Sequence, residues 1–133
     1  PPGLTRVFYS DDGATAVEAA LKIAFQYWRQ CPAPRPGKTK FLSLTSAYHG
    51  DTLGSVAVGD LARFHHLFAP LLFPVIHARP GDSEQTKALL REHADELAAV
   101  VLEPVVQCAA GMRVMPEGYL RLVRELTREH GVL

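Results

Sequence analysis

The chain has 133 residues, of which 47% are hydrophobic, and its 14 basic and 14 acidic side chains leave no net charge. This length suits one compact domain, and so large an apolar fraction excludes a wholly disordered chain. A neutral chain has no basic excess to neutralise phosphates, so neither nucleic acid nor a membrane surface is expected as a partner. Its apolar stretches fall far short of the roughly 20 residues that cross a bilayer, and two cysteines make no disulfide framework. We expect a cytoplasmic protein.

The two ends of the sequence suggest a piece of a longer polypeptide. The chain begins Pro1-Pro2-Gly3 without a methionine and stops at Gly131-Val132-Leu133, where an apolar run starts. A domain rarely ends as a buried strand begins, because a half-made strand leaves backbone groups unpaired.

Apolar clusters alternate with helical periods along the chain, as is typical of parallel α/β proteins. Residues 7–9 predict a short strand, and the turn after it opens a helix in which Glu18 and Lys22 have the spacing of an ion pair. The breaker-rich residues 31–37 predict a loop, and residues 41–44 predict the second strand. The apolar face of the first helix is predicted to comprise Ala14, Val17, Leu21, Ala24, Phe25 and Trp28.

The second half continues the alternation. Residues 51–70 are ambiguous and favour a short helix followed by an irregular segment, and residues 73–77 predict a third strand. Asp82 is expected to cap the next helix, with Gln85 completing a capping box. Residues 97–102 form the unbroken apolar run of a central parallel strand. The last helix is predicted to begin near Pro116, to end at Gly131 and to bury Tyr119, Leu122, Val123 and Leu126.

Three features follow predicted strands, where open α/β sheets bind their ligands. Residues 11–15 form a strand-to-helix turn whose free N–H groups suit a phosphate, although a simply capped helix explains them too. Residues 48–51 (Tyr-His-Gly-Asp) offer an aromatic face for a planar ligand, or else a tyrosine packed on a loop. Glu103 ends the apolar strand, where a carboxylate needs a cation, a donor network or a ligand, an ion pair being the simplest alternative.

Other signals are excluded by their spacing. Gly37-Lys38-Thr39 lacks the glycine that a phosphate-binding loop requires at Pro32. His65 and His66 are adjacent, so on a helix they cannot converge on one metal ion, and no metal site is expected. No serine lies in a Gly-x-Ser-x-Gly turn, which argues against a hydrolase.

Taken in order, these blocks carry a family resemblance. They are residues 7–28 (VFYSDDGATAVEAALKIAFQYW), 48–54 (YHGDTLG) and 98–113 (AAVVLEPVVQCAAGMR), together with the helix at 116–131. The chain resembles the class III, fold-type I aminotransferases that use pyridoxal 5′-phosphate, and is most similar to their biotin-synthesis branch. The resemblance implies an α/β three-layer sandwich with a mostly parallel sheet, and makes residues 1–133 part of the cofactor-binding large domain.

The resemblance also implies roles for individual residues. Gly13 and Ala14 match the backbone pair that holds the cofactor phosphate, with Thr15 as a further donor. Tyr48 matches the aromatic residue beside the cofactor ring and the substrate, and Asp51 lies at a nearby substrate position. Glu103 matches a glutamate that orients the site. Two stretches depart from the family pattern: Asp12-Gly13-Ala14 stands for Ser-Gly-Ser, and Gln-Cys-Ala-Ala-Gly for Gln-Gly-Ala-Gly-Gly.

The family's Schiff-base lysine and the aspartate that holds the pyridinium nitrogen are expected downstream of this chain, so no catalytic residue is assigned to it. Its own lysines, Lys22, Lys38, Lys40 and Lys87, are poor substitutes. The resemblance implies that the full-length protein is a homodimeric enzyme of biotin biosynthesis. It would move an amino group from S-adenosyl-L-methionine to 8-amino-7-oxononanoate, giving 7,8-diaminononanoate, and the fragment alone would be inactive. The alternatives are another class III ω-amino-acid aminotransferase, or a non-catalytic remnant or interaction module.

Overall fold

A parallel sheet with helices on both faces forms the centre of the computed structural model, which describes residues 3–133 apart from the side chains of Ala62 and Phe64. In this part of the chain the strands are β1 (Lys40–Leu44), β2 (Ile76–Ala78), β3 (Leu97–Val100), β4 (Val106–Gln107) and β5 (Arg113–Val114). The helices are α1 (Gly13–Gln30), α2 (Leu53–Val58), α3 (Ala62–His65), α4 (Ser83–His93) and α5 (Tyr119–Glu129), and a 3-10 helix covers His66–Leu71.

The main sheet has the strand order β2-β1-β3, and both pairings are parallel. Leu133 extends it, because its N–H donates to the Ala98 carbonyl at 3.2 Å and its own carbonyl accepts from the Val100 N–H at 2.9 Å. This exchange on either side of Ala99 is the parallel pattern. The strand expected from residue 132 therefore begins to pair next to β3. β4 and β5 form a separate antiparallel ribbon.

Two apolar clusters fill the spaces on either side of the sheet, which gives the three-layer α/β sandwich that the sequence predicts. One cluster joins Leu42 and Leu44 of β1 to Leu90 of α4 and Val123 of α5. The other joins Phe41 to the α1 residues Leu21, Ala24 and Trp28. Alternate residues of β1 thus face opposite helix layers, as the period of two in a strand requires.

Helix α1 confirms half of its predicted apolar face, since Leu21, Ala24 and Trp28 are buried, and Val17 packs against them partly buried. The prediction for Phe25 is wrong: this residue of the predicted apolar face is 39% exposed, and the Arg29 guanidinium lies 3.5 Å from its ring centroid. The predicted Glu18–Lys22 pair is also wrong. Glu18 instead accepts a hydrogen bond from the Thr52 hydroxyl at 2.7 Å, because α2 packs against this face of α1.

Three predicted strands differ from the structure. Residues 7–9 form no strand: Val7, Phe8 and Tyr9 are each at least 72% exposed, and no described strand lies beside them to accept their backbone hydrogen bonds. The third strand begins at Ile76 rather than at 73. β3 ends at Val100 rather than at 102. The ambiguous residues 51–70 hold α2, α3 and most of the 3-10 helix, so they are more helical than expected.

The helix ends follow the predicted caps with one exception. Asp82 Oδ1 accepts from the Gln85 N–H at 2.9 Å and so caps α4. The second hydrogen bond of the predicted capping box, from the Asp82 N–H to the Gln85 side chain, is not formed, because Gln85 Oε1 accepts from the Arg79 N–H at 2.6 Å. Helix α5 follows a left-handed Gly118, and after it Gly131 adopts a φ of 59°, as its predicted C-terminal position requires.

Candidate functional site at the amino end of helix α1

The first turn of α1 is closed by a capping box. Asp12 Oδ1 accepts from the Thr15 N–H at 2.8 Å, while the Asp12 N–H donates to Thr15 Oγ1 at 3.2 Å. The Thr15 hydroxyl also accepts from Ser10 Oγ at 2.7 Å. The cap therefore uses both polar groups of Thr15. The N–H groups of Gly13 and Ala14, which have no acceptor within an α-helix, remain directed out of its amino end.

Gly50 brings the segment after β1 against this helix end. Its φ is 120°, and a Cβ at this position would lie 2.5 Å from the Ala14 Cβ. Ser55 Oγ also donates to the Ala14 carbonyl at 3.0 Å. No side chain larger than hydrogen fits at residue 50 without separating the two segments. Between them lies a cavity of about 780 Å³, lined by Asp12, Gly13, Ala14, Val17, Tyr48, His49, Gly50, Asp51 and Thr52.

Tyr48, Asp51 and His65 form one hydrogen-bonded group beside this cavity. The Tyr48 hydroxyl donates to Asp51 Oδ2 at 2.6 Å, and His65 Nε2 lies 3.3 Å from Asp51 Oδ1. The rings of Tyr48 and His65 stack, with centroids 6.3 Å apart and planes 19° apart. The hydrogen bond to Asp51 raises the pKa of the Tyr48 phenol. The hydrogen bonds from Tyr48 and then His65 lower the pKa of Asp51.

Glu103 connects two backbone segments. One carboxylate oxygen accepts from the Tyr48 N–H at 3.2 Å, and the other accepts from the Cys108 N–H at 3.1 Å. The sequence left a cation, a donor network or a ligand as partners of this carboxylate, and the structure shows a network of two backbone donors. Because the two bonds come from the end of β1 and from the loop after β4, Glu103 fixes the position of the Tyr48 backbone relative to that loop.

Two histidines near Tyr48 were not predicted to be site residues. His49 Nε2 lies 3.4 Å from Ser43 Oγ, and burial lowers the pKa of His49 while the charge of Glu103 acts in the opposite direction. His65 is 14 residues away from Asp51 along the chain. A contact over that distance leaves no local spacing in the sequence. Only the packing of α3 against residues 48–51 brings it to the site.

None of the four lysines lines the cavity at α1. Lys38 is fully buried near the amino end of β1, where its Nζ donates to the carbonyls of Ala94 and Leu97 and lies 4.7 Å from the Trp28 ring centroid. Burial, and then the charge of Arg35, lower its pKa. Lys40 pairs with Glu96 near the same end of the sheet. Tyr48 follows the opposite end of β1.

Two features are absent from the described residues 3–133. No group of three or more His, Cys, Asp and Glu side chains is arranged to hold a metal ion. No helix has both the length and the apolar character needed to span a bilayer.

Comparison with protein families assigns the chain to a class of transferases. The family model "Aminotransferase class-III" matches residues 1–133. The chain belongs to the class-III aminotransferase family, and its parallel α/β sheet agrees with the large domain of such enzymes.

The sequence is similar to curated proteins that share one name, adenosylmethionine-8-amino-7-oxononanoate aminotransferase. The protein of this name from Nitratidesulfovibrio vulgaris is 49% identical over 149 residues, an alignment that covers 99% of this chain and 28% of the relative. The one from Geobacter sulfurreducens is 48% identical, covering 100% of this chain and 33% of the relative. The chain therefore spans about a third of the length of these relatives.

Solved structures agree in fold. The crystal structure of the enzyme of that name from Methanocaldococcus jannaschii superposes with a TM-score of 0.92 at 42% identity, covering all of this chain and 31% of that one. An amine transaminase from an uncultivated Pseudomonas species, in a PLP-bound form, gives a TM-score of 0.86 at 32% identity, with coverages of 97% and 33%.

Proposed function

We propose that the protein carrying this chain is a pyridoxal 5′-phosphate-dependent aminotransferase of biotin biosynthesis, which moves an amino group from S-adenosyl-L-methionine to 8-amino-7-oxononanoate. The observation that carries the proposal is the meeting of the α1 amino end, Tyr48 and Asp51 around one cavity. The proposal is supported by relatives between 37% and 49% identical that bear the name of this activity and align with the whole chain or nearly all of it.

The cavity fits a phosphorylated aromatic cofactor. A Cβ built on Gly13 would meet nothing within 4 Å, so the helix end is open where a phosphate would approach the N–H groups of Gly13 and Ala14. A volume near 780 Å³ lies within the range of small-molecule sites. Two carboxylates in the cavity lining, Asp12 and Asp51, are opposed to an anion here. Bound there, pyridoxal phosphate would supply the electron sink that amino transfer requires.

Each residue of the site then has a defined task. The backbone at residues 13–14 holds the phosphate, and the Thr15 hydroxyl contributes only through the cap. The Tyr48 ring would flank the bound cofactor, and its hydroxyl, directed by Asp51, would meet the substrate. Glu103 keeps the Tyr48 backbone at the carboxyl end of β1. In this proposal the lysine and the aspartate of the chemistry are supplied from outside residues 1–133, which form part of the large domain.

The proposal is tested by complementation of a biotin-requiring bacterial strain that lacks this aminotransferase. We expect the full-length gene to restore growth without biotin, and a Tyr48→Ala version, matched in expression, to restore it poorly. Absence of growth despite good expression of folded protein would contradict the substrate assignment.

A second candidate is an aminotransferase that acts on an ω-amino acid or amine, favoured by the similarity to the PLP-bound amine transaminase. It predicts that the purified protein transfers amino groups from such donors while failing to complement. Complementation and amino-transfer assays on the same full-length protein therefore distinguish the two candidates.

We further propose that the full-length protein is a cytoplasmic homodimer, because the active sites of this fold type lie between two subunits. Light scattering on the purified full-length protein is expected to give twice the mass of one chain. A stable monomer that binds pyridoxal phosphate would contradict the dimer.

A further inference from the structure

His65 has contacts that its position in the sequence does not suggest. It is the last residue of the short helix α3, yet it is only 8% exposed and packs against the segment that follows β1. Its Nε2 lies 3.3 Å from Asp51 Oδ1, and its ring is stacked on Tyr48. It therefore touches both members of the Tyr48–Asp51 pair.

Hydrogen-bond chemistry defines which ring nitrogen carries the proton. An ionised carboxylate accepts hydrogen bonds and donates none, so Nε2 must donate to Asp51. Nδ1 is buried and has no hydrogen-bond partner among the described residues. If the ring were flipped, its N–H would be buried without an acceptor and Asp51 would lose this donor. Burying an unpaired N–H costs free energy, so the flipped ring is disfavoured.

Asp51 is thereby held by two donors at once. Tyr48 occupies Oδ2 and His65 occupies Oδ1, although the Asp51 side chain is 74% exposed. An exposed carboxylate with one phenolic partner could rotate freely, whereas the contact with a buried histidine fixes both of its oxygens. The orientation of the Tyr48 hydroxyl then depends on a residue that does not line the cavity at α1.

We propose that His65 is a positioning residue for Tyr48: it holds the Tyr48 ring by stacking and directs the Tyr48 hydroxyl through Asp51. The effect on catalysis rests on the proposed function. The effect on Tyr48 itself does not, and it is measured in the absence of cofactor.

The variants separate the two contacts in the full-length protein. His65→Phe keeps an aromatic ring and removes the N–H donor, and His65→Gln keeps an N–H donor and removes the ring. Asp51→Ala removes both acceptor oxygens at an exposed position. His93→Phe is the control, since His93 lies at the end of α4 near Glu96 and takes no part in this group.

The first measurement uses nitrogen-15 and carbon-13 NMR of histidine and tyrosine side chains in cofactor-free protein. We expect a protonated Nε2 at His65, a rigid Tyr48 ring in the wild type and in His93→Phe, and a more mobile ring in His65→Phe, His65→Gln and Asp51→Ala. An unprotonated Nε2, or an unchanged Tyr48 ring in both His65 variants, would overturn the proposal. If His65→Phe does not fold, His65→Gln decides.

The second measurement is steady-state kinetics. His65→Phe loses the hydrogen bond from His65 to the charged Asp51. We expect the KM for the amino donor to rise about tenfold, with kcat changed much less. A purely structural role would reduce the amount of active enzyme and leave KM unchanged, which would contradict positioning. A wild-type protein that does not transaminate would refute the proposed function, while the mobility of Tyr48 would still decide the role of His65.

Discussion

At the scale of single residues, two glycines allow the segment after β1 to touch helix α1. A Cβ on Gly50 would lie 2.5 Å from the Ala14 Cβ, and one on Gly54 would lie 2.4 Å from Glu18 Oε2. These distances are far shorter than van der Waals contact. Of the two, Gly50 lines the cavity at α1, so the absence of its side chain sets how closely this wall approaches Ala14.

Gly50→Ala is expected to destabilise the fold by about 3 kcal/mol, because backbone strain at positive φ adds to the collision with Ala14. Gly111→Ala is the matched control: Gly111 also has a positive φ, 81°, but a Cβ there would meet nothing within 4 Å. The control should lose only the strain, about 1 kcal/mol. Urea unfolding of both variants measures the difference, and equal losses would show that the contact with Ala14 has no energetic weight.

At the scale of elements, the amino ends of α1 and α4 are built alike. Each is capped by an aspartate whose Oδ1 accepts the N–H of the residue three positions on. They differ in surroundings: Asp82 is also bound by Arg79, at 2.7 Å, whereas Asp12 lies beside the cavity. The same local device thus serves a structural helix end and the proposed phosphate site.

Asp12→Asn is expected to strengthen the binding of pyridoxal phosphate to the full-length apoprotein. Asparagine caps a helix as well as aspartate does, but it removes a negative charge next to the phosphate. Charges at helix ends contribute about 0.3–1 kcal/mol, which predicts an affinity gain of about two- to fivefold. Titration calorimetry measures it, with Asp82→Asn as the control. Unchanged affinity in Asp12→Asn would place the phosphate elsewhere.

The stability that Asp82 contributes at the start of α4 depends on pH. Hydrogen bonds from the Gln85 backbone and from Arg79 lower the pKa of Asp82. Because the folded state lowers this pKa, the stabilisation is complete above the pKa of the unfolded chain, about 4, and is lost as pH falls through the lower folded value. Asp82→Asn should therefore be less stable than wild type at pH 7, and the gap should close below pH 4. Thermal unfolding across this range tests it, and a gap independent of pH would contradict it.

At the scale of the whole molecule, the lysines and the cavity lie apart. Lys38 and Lys40 are near the amino end of β1, and Lys87 pairs with Glu84 on α4 at 2.8 Å. Lys22 lines a different, largely apolar groove between α1 and β1. The residues that bind a cofactor in the proposal are therefore assembled in this chain without a lysine beside them.

We predict that residues 1–133 alone do not transaminate. Treatment with pyridoxal phosphate and borohydride, followed by mass spectrometry, should show scattered low-level labelling of Lys22, Lys40 and Lys87. Lys38 should be labelled least, since it is fully buried. The urea-unfolded chain is the control, in which all four lysines should react alike. Specific reduction of one lysine, together with turnover of both substrates, would contradict the prediction.

The sequence by itself determined the features that depend on near neighbours. The buried face of α1, the apolar strands β1 and β3, and the caps at Asp82 and Gly131 follow from periods and turn residues within a few positions. The sequence also named Gly13, Ala14, Tyr48, Asp51 and Glu103 as site candidates, from their position after predicted strands and from the family resemblance.

Tertiary structure decided what depends on distant partners. Residues 7–9 have the composition of a strand, but no strand among the described residues lies beside them to supply the hydrogen bonds that a strand needs. The side chains of Glu18 and Gln85 accept hydrogen bonds from Thr52 and Arg79 instead of binding their predicted partners. His65 reaches Asp51 and Tyr48 only through packing. A side chain binds the partner that folding places nearest, and local spacing records only the partners that are close in sequence.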